Sequence, residues 1–282
     1  MMLDIIHETI YRYTVPASYS LQYLRLWPRA DAGQHVLHWS IEAPGRRWSQ
    51  ADAFGNVVTV TSLLERHDEI RAVARGQVET QGRRGLLRAH DTAVPPLAFA
   101  LATRLTAEAP SVQSLAAAVF GKRHGPEAAS REALEGLMQA VADRVAYVQG
   151  STDVHATAQE ALEQGKGVCQ DMAHVFLACC RARGIPARYV SGYIITDAQH
   201  AASHAWVEGW LPCSRGGAGA WIGLDVTHNR LAGPELCRLA VGRDYADASP
   251  VRGMHLGGGG EELQVRVAVV GAESESADAA DQ

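Results

Sequence analysis

One short stretch decides how this chain folds: Gly165-Lys166-Gly167-Val168-Cys169-Gln170-Asp171. Apolar residues then recur at helical spacing over the next turns, and a glycine and a proline at positions 184 and 186 are typical of a helix end. The pattern predicts a helix over 169–183 with one apolar face. Cys169 therefore falls in the first turn of that helix.

The start of a helix is a favourable place for a reactive thiol. The first turn carries partial positive charge and N–H groups without intrahelical acceptors, and both stabilise a thiolate. The thiolate is the nucleophilic form of cysteine, and the same N–H groups can hold an oxyanion. Taken alone, Cys169 is equally well explained as a small residue that begins a helix.

Two residues further along the chain favour the reactive interpretation. His204 begins a predicted strand 35 residues after Cys169, and Asp225 follows 21 residues later inside an apolar strand. A carboxylate in an apolar strand is costly unless it has a partner, and a histidine on the neighbouring strand is a natural one. The order cysteine, histidine, acid is that of a nucleophile, a general base and an orienting group.

The chain around this segment falls into blocks of strands and helices, which indicates an α+β fold. Turn signals separate the early strands, whose spacing predicts a small antiparallel sandwich or barrel. Alternating or β-branched patterns predict strands near 6–13, 35–41, 57–63, 69–79, 187–195, 204–211, 221–226 and 263–269. Helical spacing predicts helices near 97–108, 111–120, 130–145, 158–164 and 169–183.

These blocks suggest three parts. Residues 1–88 form a β-rich N-terminal domain, residues 89–270 form the core that carries Cys169, and residues 271–282 form an acidic tail without regular structure. A Gly/Arg-rich stretch near residue 85 marks the first boundary, and Gly257 to Gly260 suggests a flexible joint before the last strand.

The composition excludes several classes of function. The 282 residues carry a formal net charge of −5, which gives no reason to expect nucleic acid or an anionic membrane as partner. We find no secretory signal and no apolar run long enough to span a bilayer, so we expect a cytoplasmic protein. Five cysteines, none before residue 169, are typical of reduced thiols, with Cys179 and Cys180 in the core. The sequence contains no nucleotide-binding or calcium loop, and we expect no cofactor.

The motifs resemble those of a known family. The residues around Cys169, the segment Arg183 to Tyr193, the block Ser203 to Glu208 and the block Gly223 to Thr227 closely resemble the transglutaminase-like core of bacterial cysteine proteases. The N-terminal half, including Asp52-Ala53-Phe54-Gly55-Asn56, is similar to the β-rich domain that precedes such cores. The resemblance covers residues 3 to about 270.

The resemblance implies a papain-like thiol fold and acyl transfer or hydrolysis of a peptide or protein amide through a thioester. By analogy, Cys169 attacks the carbonyl carbon, His204 moves the proton and Asp225 orients the imidazole ring. The backbone N–H of Cys169 and Gln170 are the candidate oxyanion or substrate-binding groups. Two neighbours depart from the family's usual wording: Val226 replaces a proline and His228 replaces an asparagine.

Two other functions stay open. The chain could be a non-catalytic protein-binding module that kept the fold, although such a module needs no intact triad. A metal site built from Cys169, His200, His204 and Asp225 ranks last, because the sequence has neither a C-x-x-C pair nor an H-E-x-x-H motif. We therefore expect no metal, assign no catalytic role to the remaining histidines, and leave the oligomeric state undetermined.

Overall fold

The computed structural model describes residues 1–195, 203–213 and 217–272. Within these ranges the chain forms two large antiparallel sheets, one short parallel pair of strands and a group of helices. The strands are β1 Met2–Leu24, β2 Gln34–Glu42, β3 Arg46–Ala51, β4 Val57–Leu63, β5 His67–Thr80, β6 Leu87–Arg88, β7 Ala146–Tyr147, β8 Lys166–Gly167, β9 Ala187–Ile194, β10 Ser203–Leu211, β11 Ala220–Asp225, β12 Arg230–Leu231, β13 Leu236–Gly242, β14 Val251–Gly257 and β15 Glu261–Ala272. The α-helices are α1 Pro110–Phe120, α2 Arg131–Ala142, α3 Ala158–Gln164, α4 Cys169–Arg181 and α5 Tyr245–Ala248.

The first sheet is organised by the long strand β1. The first half of β1, residues 2–13, pairs with β5 on one side and β15 on the other. Its second half, residues 17–24, pairs with β4 and β14. The pairing changes partners around Pro16, because proline has no N–H for the ladder and is tolerated where pairing is interrupted.

The second sheet has the order β12-β11-β10-β9-β13 and packs against helix α4. Every residue of α4 from Gln170 to Arg181 is buried, because the helix lies between this sheet and helices α1, α2 and α3. A helix enclosed on all sides needs partners for its polar side chains. Arg181 finds them in the backbone carbonyls of Phe99 and Ala187, with donor–acceptor distances of 3.2 and 3.5 Å.

The two sheets share a hydrophobic core. Leu3 and Ile5 of β1 pack with Val269 of β15 against Tyr193 and Cys237 of the second sheet. Strands β14 and β15, which the sequence analysis counted with residues 89–270, both pair with β1, and β6 near residue 88 pairs with β11. Each half of the sequence therefore contributes strands to both sheets.

A cluster of buried charges on the second sheet holds loops from the first 91 residues against it. Glu208 on β10 lies between two arginines, 2.6 Å from Arg188 Nη2 and 2.9 Å from Arg238 Nε. Arg188 and Arg238 also contact Asp91, and Arg238 contacts Asp31 from the N-terminal half. Burial alone would raise the pKa of Glu208, but the two guanidinium groups outweigh it and hold this pKa below its ordinary value. Sequence patterns did not indicate this cluster, because the charges come from distant segments.

Most predicted elements are confirmed within one to three residues. The helices predicted at 111–120, 130–145, 158–164 and 169–183 correspond to α1, α2, α3 and α4. The predicted helix over 97–108 is wrong, since this stretch forms two short 3-10 turns separated by extended backbone. The extension of β1 past residue 13 and strands β3, β13 and β14 were not predicted. The expected unstructured tail over 271–282 is wrong at residues 271 and 272, which belong to β15, and the rest of it lies outside the described residues.

In the ranges that the structure describes, no helix combines the length and the apolar character needed to cross a membrane.

Candidate active site

The cysteine lies where the sequence placed it, at the first residue of α4. Asp171 closes this helix end, because its Oδ2 accepts a hydrogen bond from the backbone N–H of Val168 at 2.7 Å. At the other end, Gly184 has φ +65°, and the N–H of Ile185 donates to the carbonyl of Cys180 at 2.9 Å. This 6→1 bond is the Schellman motif that the glycine predicted. Both ends of the helix that carries Cys169 are therefore fixed.

The two glycines before Cys169 serve the local backbone. Gly165 has φ +65° and ends α3 in the left-handed conformation, which glycine adopts without strain. A Cβ atom on Gly167 would lie 2.7 Å from Cβ of Asp171, so the side chain that caps α4 fills this space. The Gly-Lys-Gly sequence thus allows α3 to turn directly into α4.

His204 and Asp225 are brought together by neighbouring strands. His204 is the second residue of β10 and Asp225 is the last residue of β11, in diagonal positions of an antiparallel pair. The Nε2 atom of His204 lies 2.9 Å from Oδ1 of Asp225, and both side chains are buried. The bond leaves Nδ1 of His204 as the ring nitrogen that can exchange a proton with another group.

The charges of this pair reinforce one another. Burial alone would lower the pKa of His204, but hydrogen bonds to Asp225 and Cys169 and the charges of both raise it to about 9. Burial alone would raise the pKa of Asp225, whereas hydrogen bonds to His204 and His228 hold it well below its usual range. The arrangement therefore favours a charged imidazolium beside an ionised carboxylate.

Cys169 and His204 line the same cavity, of about 280 Å³. One wall comes from the start of α4 and from β9 and β10. The opposite wall comes from the first sheet, through His7, Thr9 and Tyr11 of β1 and Leu263 and Val265 of β15. Sequence reasoning missed this second wall, since no motif connects residue 9 or residue 265 with residue 169.

Gln170 also lines the cavity, but its side chain has a structural partner. Its Nε2 donates to the backbone carbonyl of Val154 at 3.2 Å. The backbone N–H of Cys169 stands in the first turn of α4, where no intrahelical acceptor is in reach. It is therefore the better placed of the two predicted oxyanion donors. Neither assignment is tested, and both stay predictions.

His174 plays a structural part, as its position on the helix indicated. It is fully buried, and its Nε2 accepts a hydrogen bond from the backbone N–H of Tyr245 at 3.2 Å. Burial lowers its pKa to about 3, so the ring is neutral at physiological pH.

His228, to which the sequence analysis gave no role, contacts the site directly. Its Nδ1 lies 2.7 Å from Oδ2 of Asp225. His204, Asp225 and His228 each offer one ligand atom, and these atoms lie within 4.8 Å of one another. The metal site considered from the sequence shares two of these residues, whereas His200 lies outside the described residues. The histidine at position 228 replaces the asparagine noted in the sequence analysis, and this replacement was the signal that could have drawn attention to the residue.

The other thiols differ from Cys169 in their surroundings. All five cysteines lie in described residues and none forms a disulfide, as the sequence predicted. Cys179, Cys180 and Cys237 are buried, and burial raises the pKa of each. Cys213 is exposed and does not line the cavity, whereas Cys169 is half-buried at its wall.

Comparison with known proteins accounts for both halves of the chain. Residues 113–226 match the model of the transglutaminase-like superfamily, and residues 3–79 match that of the bacterial transglutaminase-like N-terminal region. An uncharacterised protein of Mycobacterium leprae is 32% identical over 95% of this chain and 98% of its own length. The chain belongs to the transglutaminase-like superfamily. The resemblance inferred from the sequence motifs is confirmed.

Other known proteins are similar to this transglutaminase-like protein. An uncharacterised protein of Mycobacterium tuberculosis is 30% identical over 89% of this chain and 86% of its own length. The fold is shared with the crystal structure of "a Putative Cysteine Protease from Cytophaga hutchinsonii", at TM-score 0.74 and 23% identity over 97% of this chain and 92% of that one. The transglutaminase-like, papain-like α+β fold is thereby confirmed, and the family is one of thiol-dependent enzymes.

Proposed function

We propose that this transglutaminase-like protein catalyses thiol-dependent acyl transfer on peptide or amide substrates, with Cys169 as nucleophile, His204 as acid–base and Asp225 as orienting group. The observation that carries the proposal is the buried His204–Asp225 hydrogen bond of 2.9 Å beside a cavity that Cys169 also lines. A cysteine at a helix start and a histidine that line one cavity, with a carboxylate hydrogen bonded to the histidine, are the parts that thiol catalysis requires.

The reaction follows from this geometry. The Sγ anion of Cys169 attacks the carbonyl carbon of the amide, and the carbonyl oxygen becomes an oxyanion near the backbone N–H of Cys169. His204 gives its proton to the leaving amine as the C–N bond breaks, which leaves a thioester and a neutral imidazole. The imidazole then takes a proton from water or from an acceptor amine, which attacks the thioester and releases Cys169. Water yields hydrolysis, and an amine yields cross-linking.

Asp225 supports both proton transfers. Its carboxylate accepts from Nε2 of His204, which fixes the ring with Nδ1 turned to the thiol side and stabilises the charged form. Because the carboxylate is buried and hydrogen bonded on both oxygens, it holds this orientation. The chemistry of the step requires only residues of this chain.

The chain provides its own control for a test of the nucleophile. Iodoacetamide labelling at pH 7, followed by peptide mass spectrometry, compares Cys169 with the exposed Cys213 in the same molecules. We expect Cys169 to react at least about tenfold faster than Cys213 in the native protein, and both to react alike after denaturation. His204→Ala is expected to remove the difference. Equal native rates at the two cysteines would overturn the proposal.

Turnover separates an enzyme from a binding module that kept the fold. Release of amine from a casein digest or a peptide library is measured for the native protein and for Cys169→Ala and Cys213→Ala. Activity lost in the first variant and kept in the second supports catalysis. A reactive Cys169 without any turnover of amide, ester or thioester substrates would favour the binding module.

A further inference from the structure

Two sheets form the walls of the cavity beside Cys169, which is open to solvent on one side. On β1, the side chains at odd positions face inward: Leu3 and Ile5 are in the core, and His7, Thr9 and Tyr11 continue the same face into the cavity. Side chains alternate along a strand, so this continuity follows from the pleat. One face of the first sheet therefore forms part of the core and, further along β1, part of the cavity wall.

Strand β15 repeats this pattern beside β1. Val267 and Val269 pack against the shared core, and Leu263 and Val265 on the same face line the cavity. The register pairs Leu263 with Tyr11 and Val265 with Thr9. Strand β15, near the C-terminal end of the described residues, thus reaches the proposed nucleophile, although Val265 lies 96 positions after Cys169 in the sequence.

Apart from the proposed Cys169–His204 pair, the described residues of the cavity wall carry no charged side chain at neutral pH. Among the described residues that line it, none is aspartate, glutamate, lysine or arginine. His7 is neutral, because burial lowers its pKa to about 4. Its two ring nitrogens are already occupied, with Nδ1 2.9 Å from the hydroxyl of Tyr193 and Nε2 2.9 Å from Oγ1 of Thr9. The proposed Cys169–His204 pair is the reacting centre itself.

We infer that this cavity binds the uncharged, largely apolar side chain of the residue whose carbonyl Cys169 attacks, with Leu263 and Val265 as specificity-determining residues. The inference rests on the proposed function and narrows its substrate class. A volume of about 280 Å³ lies just below the roughly 300–1,000 Å³ typical of small-molecule sites, which suits a side chain with its amide. Leu263 and Val265 are 52% and 48% exposed, so a charged side chain would lose part of its water there, and it would gain no partner of opposite charge among the described wall residues outside the reacting pair.

Four probes test the inference: acetyl-aminoacyl vinyl sulfones with a leucine, glutamine, glutamate or lysine side chain next to the electrophile. The rate at Cys169 for each probe is divided by its rate with glutathione, which removes intrinsic reactivity. We expect the leucine and glutamine probes to react at least about tenfold faster than the two charged ones. Equal normalised rates for all four, with Cys169 still faster than Cys213, would overturn the inference and leave the proposed function standing.

Two substitutions on one strand provide a matched pair. Val265→Lys places a cation in the wall, and we expect it to raise the rate of the glutamate probe relative to the leucine probe by about fivefold or more. Val270→Lys lies on the opposite face of β15, where the valine is 62% exposed, and is expected to leave the order unchanged. If Val265→Lys did not fold, the four-probe series on the native protein would still decide. If no probe labelled Cys169 faster than Cys213, this result would contradict both the proposed function and the inference that rests on it.

Discussion

The carboxylate of Asp225 is shared between two histidines, and the second of them, His228, lies with its Nδ1 2.7 Å from Oδ2. His204 occupies the other oxygen at 2.9 Å. Arg230 Nε lies 3.6 Å from Oδ2 and adds a positive charge on the same side. The orientation of Asp225 toward His204 therefore depends on a half-exposed residue that does not line the cavity.

We expect His228→Ala to lower kcat/KM by about tenfold, because one hydrogen bond to a buried carboxylate is lost. His228→Asn keeps an N–H donor at this position and should recover most of that loss. The measurement is kcat/KM against pH for the three proteins. A merely structural role of His228 would lower stability without moving the alkaline limb of the pH profile. Equal profiles for His228→Ala and His228→Asn would contradict positioning through the hydrogen bond.

The pKa of His204 predicts the alkaline limit of the reaction. Its pKa is raised to about 9, so the ring stays protonated and able to donate to the leaving amine up to that pH. We expect kcat/KM to fall as pH rises through about 9. Asp225→Asn removes the negative charge that raises this pKa, and should move the limb to lower pH while it lowers kcat/KM by about 10²–10⁴-fold. An unchanged limb in Asp225→Asn would show that another group sets it.

The raised pKa of His204 also makes the stability of the folded protein depend on pH. The folded pKa of His204 lies above its ordinary value of 6.5, so the folded state binds the proton more tightly than the unfolded chain. The stabilisation is complete below pH 6.5 and is lost as pH rises to about 9. Urea unfolding of the native protein and of His204→Gln at pH 6 and pH 9.5 checks this: their difference in free energy of unfolding should be larger at pH 6.

The elements that carry the proposed catalytic residues were predictable because each lies within a local pattern. Cys169 follows a glycine signal and begins a periodic helix, and His204 and Asp225 lie on strands that are neighbours in sequence and in space. The cavity wall was not predictable in this way. Leu263 reaches the site only because β15 pairs with β1, and a strand pairing between residues 250 positions apart leaves no local trace.

The difference between local patterns and tertiary contacts also explains which secondary-structure elements the sequence did not predict. The 97–108 stretch is rich in alanine and leucine, but it forms two 3-10 turns because the carbonyl of Phe99 accepts a hydrogen bond from Arg181 of α4 and the Phe99 ring packs against Phe54 and Trp221. Tertiary contacts there outweigh helix propensity, which is worth less than about 1 kcal/mol per residue. Pro16 suggested a turn. Strand β1 instead continues through this residue, because the strands that pair with β1 change there on both of its sides.

Removal of metal ions distinguishes a thiol enzyme from a metal-dependent one. His204, Asp225 and His228 lie close enough to hold an ion, but their contacts to one another already satisfy both carboxylate oxygens. We expect dialysis against EDTA to leave the alkylation rate of Cys169 and amide turnover unchanged. Added Zn²⁺ should inhibit by competing for the imidazole of His204, and His228→Ala should weaken this inhibition. Activity lost on EDTA treatment and restored by Zn²⁺ would contradict the thiol mechanism.

The buried charge cluster predicts a large loss of stability from a change of one atom. Glu208→Gln keeps the shape of the side chain but leaves Arg188 and Arg238 without the anion between them. Breaking a buried pair in this way costs about 3–5 kcal/mol in free energy of unfolding. Because Asp31 and Asp91 still contact the two arginines, we expect a loss at the lower end of this range. Urea unfolding at pH 7 measures the change.

Glu135→Gln is the matched control for this substitution. Glu135 pairs with Arg131 at 2.8 Å on the exposed face of α2, where the two side chains are 38% and 52% exposed. Surface pairs of this kind contribute about 0.5 kcal/mol or less, so the control should unfold almost as the native protein does. Because the pKa of Glu208 is held below its ordinary value, its stabilisation is present above about pH 4.5 and is lost on acidification. The gap between Glu208→Gln and the native protein should therefore narrow at acidic pH, and a gap that widened there would show that the carboxylate is not the stabilising group.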